Sequence, residues 1–342
     1  MKIGFYITGS PFDGNTLEKK ALGGTESSVI YMSRELAGLG NHVNVYTNCE
    51  NSGEYDGVIY KKYQEFDTEE KFDVIVSVRE LEPLKWADSK IRICWVPDAY
   101  DQTIIQTRIH DWPHADRLFT VSRWQTNGLI QYYKIPKEKF FITRNGVYRP
   151  DFEMEAEKNK NKLIYASAPY RGLDILIDLF PKIREQIKNA ELFVFGYLTD
   201  PKYESLYKKA ESIEGIRIMR NISRQAFVQE FLNSYIMIYP NHFPETSCIA
   251  AMESQAAGTP IVSSNLGALP ETVKGGVLIS GNPHSKKYQD DFVGETVSLL
   301  QNRTKWLELS KKGREYILKN NSWDKIAKEW MEEFNELLSK TI

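Results

Sequence analysis

Short apolar runs alternate with stretches of helical periodicity along almost the whole chain, and this alternation leaves few folds open. "KIGFYIT" (2–8) reads as a buried strand, "TESSVIYMSRELAGLG" (25–40) as a helix closed by Gly38 or Gly40, and "HVNVYT" (42–47) as a second strand. "FDVIVSV" (72–78), "IRICWVP" (91–97), "RLFTVS" (117–122) and "FFITRNG" (140–146) continue the series, and Ser122 with Gln125 reads as a capping box ahead of "NGLIQYY". Runs this apolar need cover on both faces, which predicts parallel sheets flanked by helices. "YRPDFEMEAEKNKNK" (148–162) is charged, lacks apolar periodicity and reads as a linker. A second series follows it: "LIYASAP", a helix near 173–188, "AELFVFG", a helix near 202–212, "IRIMRN", a helix near 224–233, "YIMIYP" and "PIVSSN". The expectation is α/β, with two Rossmann-like domains spanning 1–150 and 151–322. Trp323, Ile326, Ala327, Trp330, Phe334, Leu337 and Leu338 form an apolar stripe at helical spacing, so a last helix over 323–340 must dock on something.

Bulk composition excludes several classes. The 342 residues suit two domains, with 42% hydrophobic and 26% charged residues as in globular proteins. A net charge of −2 gives no footprint for nucleic acid or a polybasic membrane anchor. No apolar run approaches the roughly 20 residues of a spanning helix, and the N-terminal run is too short for a signal-peptide core. Cys49, Cys94 and Cys248 are scattered and form no Cys-x-x-Cys pair, so no disulfide framework or zinc site is indicated. A cytoplasmic, reduced protein is expected.

"PETSCIAAMES" (244–254) sets Glu245 and Glu253 eight positions apart around small or apolar residues. A helix from about Thr246 would place Glu253 two turns in, with the carboxylates on the order of 12 Å apart at about 1.5 Å per residue. That is too far for a shared-proton dyad or a glycosidase pair, and it suits the two ends of one elongated ligand. The amides of Thr246, Ser247, Cys248 and Ile249 would lie between them at a helix N-terminus, where an anion is favoured. A ligand with hydroxyls at each end and a diphosphate in the middle is a nucleoside diphosphate sugar. Taken alone, the pair also fits a helix-dipole glutamate with an unrelated partner. "GGTES" (23–27) adds a strand-to-helix turn in which Gly23 and Gly24 permit close approach to phosphate. "SAPYRGLDIL" (167–176) adds Arg171, whose guanidinium can clamp a diphosphate. A plain helix start and a solvated arginine are the bland readings of these two segments. Their joint occurrence at helix starts, where open α/β sheets bind ligands, is the stronger signal.

These segments, with "FTVSRWQTNGL", "ITRNGV" and "PETSCIAAMESQAAGTPIVSSNLGALPET", resemble the retaining glycosyltransferases of the GT-B fold, and family 4 in particular. The resemblance implies two domains facing each other across a cleft, the N-terminal one for an acceptor and the C-terminal one for the donor, with the last helix crossing back. It implies that Glu245 contacts the transferred sugar, that Glu253 binds ribose hydroxyls, and that Gly23, Gly24 and Arg171 hold the diphosphate. It also implies front-face transfer with retention, from a nucleoside diphosphate sugar (UDP by default) to a hydroxyl of a glycan, lipid or other acceptor. Two departures stand out. Where a second basic residue is usual there is Ala166, and where an N-domain histidine is usual "CWVPD" (94–98) has Pro97 and Asp98. Asp98 is assigned to sugar or acceptor hydroxyls, and His242, three residues before Glu245, to the sugar pocket. His110 and His114 read as surface histidines, and Cys248 as packing.

The oxidoreductase signature G-x-G-x-x-G does not follow the first strand, and no Asp-x-Asp offers a metal site of the GT-A kind. No metal or cofactor is therefore expected beyond the co-substrate. A GT-B epimerase or phosphorylase, or a non-catalytic sugar-binding protein, are the other readings. "RWQTNGLIQYYKIPKEK" (123–139) is basic and aromatic, which suits an ordinary amphipathic helix or a peripheral membrane contact.

Overall fold

A computed structural model describes residues 1–154, 156–196, 201–220 and 222–341. The chain folds as two compact units, Met1–Gly146 with Ser322–Ile342, and Val147–Asn321.

The first unit is built on an eight-stranded sheet. Its strands are β1 (Lys2–Tyr6), β2 (His42–Thr47), β3 (Gly53–Tyr55), β4 (Val58–Lys62), β5 (Phe72–Val78), β6 (Ser89–Val96), β7 (Arg117–Thr120) and β8 (Phe140–Ile142), in the order β3-β4-β2-β1-β5-β6-β7-β8. All pairings are parallel except β3 with β4, an edge hairpin. Its two-residue turn, Asp56-Gly57, has φ of 50° and 75°, the left-handed pair of a type I′ turn. Helix α1 (Gly24–Gly38) follows β1, and α2 (Arg123–Tyr133) follows β7. Ser122 caps α2 through the Gln125 amide at 3.3 Å. The Gln125 side chain does not close the expected reciprocal box. Buried, it accepts from the Val121 amide and donates to the carbonyls of Val96 and Asp98, tying the end of β6 to the start of α2.

The second unit carries β9 (Asn159–Ala166), β10 (Glu191–Gly196), β11 (Ile216–Arg220), β12 (Ser234–Tyr239), β13 (Ile261–Ser264) and β14 (Gly276–Ile279), ordered β11-β10-β9-β12-β13-β14 and parallel throughout. Its helices include α3 (Leu173–Gln186), α4 (Arg224–Asn233), α5 (Ile249–Ala256), α6 (Lys286–Gln301) and α7 (Arg303–Asn320). Asn221, which the sequence places at the end of the strand before α4, lies outside the described residues, as does Glu155 in the charged stretch.

That stretch is shorter as a linker than its composition suggests. Residues 159–162 are already strand, and Phe152 is fully buried. Charge does not prevent this because the charged heads are paired. Lys162 reaches Glu230 with its ammonium 4.4 Å from the Phe193 ring centroid. The half-buried Lys158 donates its amine to Phe231 O, Ala257 O and Thr259 Oγ1, and so satisfies carbonyls left open at the ends of α4 and α5.

The last helix, α8 (Trp323–Thr341), belongs to the first unit. Trp323 stacks on Tyr31 of α1, and Trp330 meets the rings of Trp95 and Phe119 edge-on at 4.8 and 4.9 Å. The Trp330 indole N–H donates to Thr143 Oγ1 at 2.8 Å. Arg144 forks onto Glu329, and Arg117 pairs with Glu333. The stripe is thus spent on the core of the first sheet, except that Leu338 is only half-buried. Trp330→Ala removes a fully buried indole and strands the Thr143 hydroxyl, so it should cost about 3–5 kcal/mol, read as a lower urea midpoint of the transition that reports the first unit.

Candidate active site

In the second unit the strand order reverses between β9 and β12, and the loops leaving these neighbours carry the residues singled out from the sequence. After β9 the chain makes one 3-10 turn, Pro169–Arg171, and enters α3 through Gly172 at φ 111°. A Cβ at Gly172 would lie 2.2 Å from the Pro240 carbonyl oxygen, so only glycine lets this loop lie against the end of β12. Arg171 is thereby brought to Glu245, with Nη1 2.9 Å from Oε1. The same oxygen accepts from Tyr239 Oη at 2.6 Å, and Ser167 Oγ donates to Tyr239 Oη at 3.1 Å. Glu245 is 5% exposed and Arg171 remains partly open, its guanidinium 4.2 Å from the Phe243 ring centroid. Burial, with the Glu245 carboxylate beside it, pushes the Tyr239 hydroxyl well above its ordinary pKa, so it stays a donor.

The Glu245 backbone is held as firmly as its side chain. Its carbonyl accepts from the Ala268 amide at 2.7 Å, and Gly267, at φ 59°, presses so close that a Cβ would sit 2.6 Å from that carbonyl. This hold corrects the expected start of the motif helix. With Glu245 pinned, the chain turns through Thr246 and Ser247, Cys248 is extended at the N-cap, and α5 begins at Ile249. Glu253 therefore stands little more than one turn into the helix, not two. Cys248 makes no side-chain cap hydrogen bond, unlike Ser122 and Ser285 at their helices. Burial raises the Cys248 pKa, with Glu245 adding to it, so the thiol is a packing group.

Glu253 is buried, which pushes its pKa up. Arg224, at the start of α4, works against this by donating from Nη1 to Oε1. The Nε and Nη2 of the same guanidinium hold Asp151 Oδ2 at 3.0 and 2.8 Å. The reading of the sequence missed Arg224, Asp151 and Tyr239. Arg224 had a visible signal, a basic residue one position after a serine cap, but nothing local ties it to Glu253. His242 lies on the loop after β12, with Nε2 3.7 Å from Asp174 Oδ1.

The remaining candidates lie in the first unit. Gly23 is the N-cap of α1, and a Cβ there would be 2.5 Å from Glu26 Oε2. The helix start thus already faces a carboxylate, which Arg79 meets at 3.6 Å. Arg79 follows β5, is a non-glycine residue at φ 68°, and also donates to Thr25 Oγ1 and to Asp98, at 2.8 Å from Nε to Oδ2. Thr25, Glu26 and Asp98 are therefore gathered around one guanidinium that the sequence reading passed over, with Gly23 and Gly24 immediately before them in the chain; its place after a strand at the sheet's own order reversal is the signal that finds it. Among the described residues no helix is long and apolar enough to cross a membrane.

Comparison with known proteins fits this geometry. Residues 150–320 match the family described as "Glycosyl transferases group 1". A GDP-mannose-dependent alpha-(1-6)-phosphatidylinositol monomannoside mannosyltransferase of Mycobacterium tuberculosis is 24% identical over 201 residues, covering 53% of this chain and 50% of its own. Sucrose-phosphate synthase of Thermosynechococcus elongatus superposes with a TM-score of 0.79 at 14% identity over 99% of both chains. Anabaena HepE, solved with UDP and glucose, gives 0.75 at 13% identity over 98% of this chain and 100% of its own. The fold is of the GT-B class. The chain spans about half to three-fifths of the length of the curated relatives it matches.

Removing one partner of a buried ion pair costs far more than the pair contributes. Arg224→Met leaves the Glu253 charge uncompensated and should lower stability by about 3–5 kcal/mol in urea titration. Adding Glu253→Gln to that variant should recover a large part of the loss.

Proposed function

The chain belongs to the group 1 glycosyl transferases, and from that premise we propose that it moves a sugar, with retention at the anomeric carbon, from a nucleoside diphosphate sugar to a hydroxyl acceptor. The observation that carries this reading is the junction of Arg171, Glu245 and the start of α5 at the order reversal of the second sheet. The second unit is the donor unit in this proposal, and the first is the acceptor unit.

Each end of the motif takes one end of the donor. Glu253 accepts from the ribose hydroxyls, with Arg224 opposing the upward pKa shift that burial imposes on its carboxylate. The amides from Thr246 to Ile249 meet the diphosphate. They suit it because they stand at the start of α5, and a helix N-terminus favours an anion. Arg171 meets the charge that gathers on the leaving diphosphate, in a site where fixed dipoles need no reorganisation. Glu245 acts on the transferred sugar, its orientation fixed by Tyr239 and by the Gly267 loop. His242 borders the sugar pocket. In the first unit, Gly23 and Gly24 allow phosphate approach with Arg79 balancing Glu26, and Asp98 orients acceptor hydroxyls from the same guanidinium. UDP is the proposed nucleotide, in keeping with the ligand of the Anabaena protein, and the GDP-mannose of the mycobacterial relative makes GDP the comparison that matters.

A thermal-shift panel of UDP, GDP, ADP and their sugars tests this directly, since a ligand that binds only the folded state raises its melting temperature. UDP is expected to raise it most. Glu253→Ala should lose most of the calorimetric affinity for the nucleotide, because a hydrogen bond to a charged group is worth about 1.5–3 kcal/mol. Glu245→Gln should keep that affinity within a few-fold yet slow transfer by roughly tenfold or more, as expected for contacts that strengthen in the transition state. Equal loss of nucleotide binding in both variants would show that the two carboxylates share one role.

No step of this mechanism calls for a metal. Transfer should persist in excess EDTA, and a complete loss rescued by magnesium or manganese would mean that a cation neutralises the diphosphate.

A further inference from the structure

Three segments of the second unit bring Asp174, His242 and His284 together, with one potential ligand atom of each lying within 4.8 Å of the others. We propose that they form a binding site for a divalent transition-metal ion of the zinc type, which shares only His242 with the donor contacts assigned above.

Two neutral imidazole nitrogens and one carboxylate oxygen are a borderline-soft donor set, which selects zinc-like ions and disfavours magnesium. The two histidines sit on loops fixed from below, and the aspartate sits on a helix start. The His242 loop is locked by the buried Asn241, whose side chain bonds both the amide and the carbonyl of Phe243. His284 follows an Asx turn in which Asn282 Oδ1 accepts the His284 amide at 3.0 Å, and Ser285 then caps α6. Asp174 lies in the first turn of α3. The imidazoles of His242 and His284 are 5.4 Å apart between centroids.

The second observation is on the carboxylate. Asp174 Oδ1 is shielded from solvent and has no hydrogen-bond partner among the described residues, with His242 Nε2 beyond bonding range at 3.7 Å. The Asp174 side chain as a whole is 47% exposed, but this one oxygen is covered and unpaired, and an ion between the three groups would partner it. Donors around a tetrahedral zinc with bonds of about 2.0–2.1 Å stand roughly 3.4 Å apart, so closure needs only about 1 Å of side-chain movement. Three protein ligands leave a fourth position for water. Asp174 is three residues after Arg171 and His242 three before Glu245, so the ion would brace both loops that carry the pair. It is assigned no part in the transfer.

The test needs neither donor nor acceptor. The metal-free chain is titrated with zinc by calorimetry and with cobalt by visible absorption, with magnesium as the contrast. One zinc per chain is expected, with the visible bands of tetrahedral cobalt, and no magnesium binding. His284→Ala and Asp174→Asn should each weaken zinc by at least about tenfold without changing the metal-free melting temperature, while His110→Ala/His114→Ala should bind as the parent does. If either partly exposed side chain fails to tolerate its substitution, the other variant decides. Failure to bind zinc stoichiometrically, or unchanged affinity in the variant that folds, overturns the proposal, and so does a loss confined to His110→Ala/His114→Ala. Donor binding in the thermal-shift panel is read separately, so this site can fail while the transferase reading stands.

Discussion

A parallel strand must be covered on both faces, and in this chain that constraint decides where chemistry can happen. Every residue of β12 and of β13 is buried, and the helices that bury such strands leave only the strand ends open. In both sheets the order reverses beside the first strand of the series, at β1/β5 in one and at β9/β12 in the other. The loops leaving a reversal diverge to opposite faces, and a gap opens between them. Arg171 and Glu245 occupy that gap in the second unit, and Arg79 does so in the first.

Burying carboxylates at such a gap is costly, and each is held by a guanidinium with a different remaining capacity. Arg171 gives Glu245 one donor and keeps part of its surface open. Arg224 is divided between Glu253 and Asp151 and is mostly covered. The first arrangement can exchange a partner when a ligand arrives, whereas the second is a brace. This difference in committed donors is what separates a candidate for meeting substrate charge from one that braces a neighbouring carboxylate.

The fold was largely legible because periodicity is local. The strands at 42–47 and 72–78 and the helix at 224–233 coincide with their apolar patterns to the residue. The Asp56-Gly57 hairpin carried an equally local signal and was passed over. What could not be read was set at long range. The start of α5 is delayed by Gly267, far along the chain, and nothing near Glu253 announces that Arg224 will pair with it. The charged stretch before β9 misled for the same reason, since composition shows charge but not that Lys162 will find Glu230 and Phe193. Candidate site residues were therefore visible as types in a pattern, while their partners were not.

Position 166 supplies no second basic residue. Ala166 ends β9 as a buried member of the core of the second unit. Arg171 is already partnered by Glu245, so the pair adds little net charge to the gap. Under the proposed function, a diphosphate arriving there would meet a nearly neutral pair plus the oriented amides around Cys248, not a cluster of cations. Amide dipoles are fixed by the fold and do not have to be drawn from water, so their contribution does not depend on side-chain ordering. Such a site attracts an anion less strongly from a distance than a pair of cations would, but it can favour the leaving diphosphate over the bound donor if the amides are aimed at the charge that develops. The tight hold on the Glu245 backbone fits that demand, because the amides that follow it can be no better aimed than the residue from which they start.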